Sequence, residues 1–101
     1  MPFHNVAPFS FSVASVENNA PAASGLYGLS NAREWIFVGE TDNIKGSLLA
    51  HLRTTSGLQD KQPTGFTFEL CMASNRVSRQ DVLIRELEPV CNRRDLRFGK
   101  H

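Results

Sequence analysis

Residues 24–53 read SGLYGLSNAREWIFVGETDNIKGSLLAHLR, and the order of signals in this stretch decides the fold. Gly25-Leu26-Tyr27 opens a strand, and Ile36-Phe37-Val38-Gly39 closes a second. Between them Asn31-Ala32-Arg33-Glu34 suits a hairpin connection, with Asn31 a residue that tolerates positive φ. Thr41 or Asp42 offers an oxygen to cap the helix that follows. Over residues 43–53, Ile44, Leu48, Leu49 and Leu52 fall on one stripe, while Ser47 and His51, four apart, stack at its edge. Gly46 weakens this helix by about 1 kcal/mol relative to Ala, so either close packing or tolerance explains it.

Outward from this core, residues 66–71 alternate as a third strand, with Phe66, Phe68 and Leu70 on one side and Thr67, Glu69 and Cys71 on the other. A last helix is expected from Ser78, with Ser78 and Asp81 as an approximate capping box and Pro89 as its stop. Leu83 and Leu87 mark its inward face, and Gln80 falls on the same side. Residues 1–24 are rich in Ala, Pro, Ser and Asn. Phe9, Phe11 and Val13 alternate with serines there, as in a packed arm or an extra strand, and residues 17–24 read as loop. Residues 54–65 form a polar connection punctuated by Gly57, Pro63 and Gly65.

Composition bounds the function classes. A chain of 101 residues with 41% hydrophobic and 21% charged residues fits one soluble domain with a modest core. A net charge of +1 gives no global pull toward nucleic acid or membrane. No apolar run approaches the roughly 18 residues of a membrane span, and no secretory signal is visible at the N-terminus. Cys71 and Cys91 make neither metal-ligand spacing nor a disulfide framework, and they read as small core residues in a reduced cytoplasm.

The order of Gly25-Leu26-Tyr27, Phe37-Val38-Gly39, Glu40-Thr41 and a helix ending in His51-Leu52 resembles the GIY-YIG nuclease domain. The resemblance covers about residues 22–93. It implies an α/β (α+β) fold with a small, mostly antiparallel three-stranded sheet flanked by helices at about 43–53 and 78–88. Residues 1–21 then stand as an arm or extra strand and residues 94–101 as a basic tail. It also implies a site in which a glutamate holds a divalent metal, an arginine steadies the phosphate and a tyrosine activates water. Tyr27 and His51 match the catalytic positions. Phe37 stands where the second tyrosine is expected, Ser47 in place of the arginine, and Gln80 in place of the glutamate. Leu83-Ile84, Pro89 and Asn92 fall in register with the closing segment. All five positions, Tyr27, Phe37, Ser47, His51 and Gln80, are expected to converge on one concave surface.

The substitutions remove the groups that stabilise phosphoryl charge. One aimed donor is typically worth about 10²–10³ in rate, a serine cannot replace a bidentate guanidinium, and Mg²⁺ prefers carboxylate to a neutral amide. The leading expectation is a nuclease-like domain that binds nucleic acid or a protein partner without cutting. The alternative is an active divalent-metal endonuclease, with Mg as cofactor, that hydrolyses DNA phosphodiesters through relocated groups such as Glu40, Glu69, Arg33 or Arg53. Arg93, Arg94, Arg97 and Lys100, against Asp95 alone, offer a weak DNA-binding cluster. The near-zero net charge and Phe-rich arm suit a third reading, self-association through an interaction module.

Overall fold

A computed structural model describes residues 8–53 and 62–92. The elements run β1 (Phe9–Ser10), α1 (Val13–Asn19), β2 (Gly25–Ser30), β3 (Trp35–Thr41), α2 (Ile44–Arg53), β4 (Gly65–Leu70), a 3₁₀ turn (Ala73–Asn75) and α3 (Arg76–Leu87). The fold is an α+β domain. Its sheet has four strands in the order β1-β4-β2-β3, antiparallel at every pairing.

The expected three-stranded sheet gains its fourth strand from the arm, where Phe9 pairs with Phe66. The Phe9 ring stacks on Phe68 at 6.0 Å and tilts against Phe66 at 5.3 Å. The alternation expected through Val13 stops at Ser10, because Ser12 caps a helix instead: its Oγ accepts the Ser15 amide. That helix, α1, also replaces part of the loop expected over residues 17–24. It is held by one fully buried side chain, Val16, with Ala20 just beyond its end.

Two core clusters sandwich the sheet. In the β2–β3–β4 register Tyr27 lies beside Gly39 and Phe68, and Leu29 beside Phe37 and Phe66. This face packs on Ile44 and Leu48 of α2 and Val16 of α1. Leu26 and Val38 point the other way and pack on Leu83 and Ile84 of α3. Because β4 is covered on both faces, Thr67 and Glu69 are buried along with Phe66, while Leu70 at the strand end is exposed.

Local chemistry differs from expectation at three termini. Asn31 does not use positive φ. Its side chain accepts the amides of Arg33 and Glu34 at 2.8 and 2.9 Å, an Asx turn that closes the hairpin. A bulge near Leu29 and Ser30 then absorbs one residue of β3. Neither Thr41 nor Asp42 caps α2. Asn43 does, accepting the Gly46 amide at 3.0 Å, while the Thr41 hydroxyl accepts the Asn43 amide. A Cβ on Gly46 would lie 2.9 Å from Asn43 Nδ2, so the glycine makes room for the cap. Finally, α3 begins at Arg76, not Ser78, because the 3₁₀ turn leads straight into it. The Ser78–Asp81 box therefore sits inside the helix, and Asn75 precedes it without a side-chain cap. Glu88, at φ 49°, ends α3 in the left-handed conformation, one residue before Pro89.

Candidate functional site

Two glycines set the geometry of the motif strands. A Cβ on Gly39 would lie 2.6 Å from the ring and hydroxyl of Tyr27, so the bare backbone of β3 is what lets that ring lie across it. A Cβ on Gly25 would run into the backbone of Glu69 and lie 2.8 Å from Ile44 Cδ1, which makes glycine the residue that lets β2, β4 and α2 close together. With Tyr27 laid over Gly39, its hydroxyl reaches 2.7 Å from Nε2 of His51 on α2. Phe37 completes the group, its ring centroid 6.1 Å from Tyr27 and 5.6 Å from His51. The structure thus gathers Tyr27, Phe37 and His51 on the α2 face of the sheet.

The electrostatics of this trio keep it neutral. Burial, with a smaller push from the Glu40 carboxylate, raises the Tyr27 phenol to about 12. Burial lowers the His51 imidazole below its ordinary value. Near pH 7 the pair is a neutral phenol and a neutral imidazole sharing one hydrogen bond. The phenol is therefore further from tyrosinate than a solvated tyrosine, the opposite of what a water-activating base needs.

The remaining positions are engaged with the protein itself. Ser47, one turn before His51, shares a hydrogen bond of 2.7 Å with the Thr41 hydroxyl. Gln80 and Asn92 meet at the outer edge of β3. Gln80 Nε2 donates to the Val38 carbonyl at 3.2 Å, and Asn92 donates to the same oxygen at 3.0 Å while accepting the Val38 amide. The expected convergence is therefore split: three rings and Ser47 lie along α2, and the two amides bind the β3 backbone. Arg93, Arg94, Arg97 and Lys100 lie outside the described residues, as do residues 54–61 of the polar connection expected over 54–65 and the first seven residues of the arm.

The carboxylates expected as relocated groups, Glu40 and Glu69, are already held. Glu40 receives Arg76 Nε at 2.8 Å, and Arg76 also reaches Ser24. Glu69 is 8% exposed and takes a two-pronged bond from Arg79, at 2.7 and 2.9 Å. Arg33 and Arg53 are exposed. The groups that meet at Tyr27 are its phenol and the His51 imidazole, and the Glu40 carboxylate that acts on the phenol is held by Arg76, a set that does not fit Mg²⁺. Among the described residues no group of three or more His, Cys, Asp or Glu side chains is placed to hold a metal ion. The two cysteines, expected in the core, are both half-buried.

Sequence reasoning missed the partners more than the positions. Arg76 and Arg79, three apart on α3 and so on one helix face, were a readable signal for a pair of carboxylate clamps. Thr41 as the partner of Ser47 had no such signal. Among the described residues no helix is long and apolar enough to cross a membrane. No family model, curated protein or solved structure matches the chain.

Proposed function

We propose that this chain is a GIY-YIG-like domain that has kept the tyrosine–histidine pair of a nuclease site and lost cutting, and that it acts by binding nucleic acid. The observation that carries the reading is the contrast between two sets of positions. Tyr27 and His51 remain hydrogen-bonded across the fold, while Ser47 and Gln80, at the arginine and glutamate positions of the resemblance, bond to Thr41 and to the Val38 carbonyl. Phosphoryl transfer is catalysed by positive groups and metal ions placed around developing charge. Here the cations Arg76 and Arg79 and the carboxylates Glu40 and Glu69 neutralise one another.

Binding in this reading comes from Arg93, Arg94, Arg97 and Lys100. Four phosphate contacts on a chain whose other residues carry more acidic than basic side chains give affinity in the range of about 10⁻⁴–10⁻⁶ M, falling steeply with salt. Fluorescence anisotropy with labelled DNA at two salt concentrations tests it, comparing wild type with a variant carrying Ala at those four positions. Salt-sensitive binding that the variant loses supports the reading. Binding that is insensitive to salt, or unchanged in the variant, removes the tail from it. No binding by the wild type transfers the domain to the class of protein-interaction or self-associating modules.

A further inference from the structure

Among the described residues the strand order leaves β3 at one margin of the sheet. A margin strand presents unpaired amides and carbonyls, a template for another strand. In this chain the segment after α3 lies against that margin. Glu88 turns the chain in the left-handed conformation, Pro89 is buried, and Asn92, 4% exposed, reaches Val38. Its side-chain amide accepts from the Val38 N–H at 2.6 Å and donates to the Val38 carbonyl at 3.0 Å. These are the two bonds that a residue of a neighbouring antiparallel strand would make. Gln80 adds a second bond to that carbonyl.

We infer that Asn92 is a latch on the margin of β3, and that releasing it opens this edge to the β3 edge of a second copy of the chain. Self-pairing is favoured by the sequence around the latch. An antiparallel pair centred on Val38 sets each Phe37 opposite the other copy's Gly39, the position without a side chain on which the Tyr27 ring already lies. Between Trp35 and Gly39 the strand carries no charged residue to repel its copy. The latch replaces both backbone bonds at the centre of that pairing, so the closed chain is a monomer. This inference does not depend on nucleic-acid binding.

Sedimentation velocity over a hundredfold concentration range, on wild type and Asn92→Ala, tests it. The wild type is expected to stay monomeric. The variant is expected to keep its far-ultraviolet circular dichroism and to sediment as a dimer, with the Val38 amide still slow in hydrogen exchange. A folded variant that stays monomeric overturns the inference, as does a dimer whose Val38 amide exchanges freely, or a wild type that is itself dimeric. If Asn92→Ala does not fold, Asn92→Asp, which keeps an acceptor for the Val38 amide and loses the donor, is read by the same criteria. Failure of both to fold makes Asn92 a requirement of the fold and not a latch, which also overturns it.

Discussion

The Tyr27 hydroxyl and His51 Nε2, 2.7 Å apart, tie the first motif strand to α2 across 24 positions of sequence. Because this is the chain's only tyrosine, its ionisation can be read directly from tyrosinate absorbance. The phenol is expected to titrate at about 12, compared with the ordinary 10.0. A folded-state pKa above the unfolded value means that the unfolded chain loses its proton first as pH rises. The associated stability is therefore complete below pH 10 and is lost between about 10 and 12. The difference corresponds to about 2–3 kcal/mol. Tyr27→Phe should lack this alkaline loss while showing a smaller constant penalty of about 1 kcal/mol from the broken hydrogen bond. Titration at the ordinary value in the folded protein would show that the ring is not buried against β3.

His51 carries the opposite sign. Burial lowers its pKa below 6.5, so the unfolded chain takes up a proton first as pH falls. Stability contributed by the neutral imidazole is complete above pH 6.5 and declines below it, down through the folded-state pKa. Urea unfolding at pH 8 and pH 5 should show a loss for wild type that is reduced in His51→Gln. An equal loss in both proteins would assign the acid sensitivity to other groups.

Gly39→Ala is expected to disturb the pair although neither partner is changed. The added methyl would overlap the Tyr27 ring, and overpacking of this kind costs about 1–3 kcal/mol. The Tyr27 titration should move back toward 10.0 in the same variant. Gly46→Ala is the contrast: the helix gains about 1 kcal/mol from propensity and loses a similar amount from the displaced Asn43 cap, so its net effect on thermal unfolding should be near zero.

On the α3 face, Arg79→Ala should cost about 3 kcal/mol, because it leaves the buried Glu69 carboxylate without its two-pronged partner. Arg76→Ala should cost about 1 kcal/mol or less, since Glu40 keeps 31% of its side-chain surface. Thr67 supplies a third arm. Its Oγ1 is buried without a hydrogen-bond partner, so Thr67→Val, of similar shape, should be neutral or stabilising by about 1 kcal/mol. Chemical denaturation of the three variants orders them, and an order with Arg76→Ala most damaging would contradict the burial argument.

The motif strands, the hairpin at 31–34 and α2 were legible because each carries several agreeing signals within about ten residues: glycines, alternation and a four-residue apolar stripe. α1 was not, because a seven-residue helix holding a single buried side chain, Val16, has no periodicity to read. The alternation from Phe9 left the arm as either a packed arm or an extra strand, and the choice between them depends on pairing with β4, 57 residues away by the difference between Phe9 and Phe66, which no local pattern encodes. At the site, the spacing of Tyr27 and His51 anticipated their meeting. The inward side of Gln80 was legible from the helix period, but its partner, a backbone carbonyl on β3, was not. The burial of Glu69 was missed because a strand's alternation does not reveal that both faces of β4 are covered.

The central claim, a nuclease-like site without cutting, is tested most directly by a cleavage assay on plasmid, single-stranded and branched DNA, with and without Mg²⁺. Wild type, His51→Ala and a triple variant restoring Phe37→Tyr, Ser47→Arg and Gln80→Glu are compared at matched purity. The account predicts no metal-dependent cleavage by wild type, and none by His51→Ala. Any cleavage gained should appear in the triple variant, with Mg²⁺ present. Metal-dependent cleavage by the wild type that disappears in His51→Ala would contradict it.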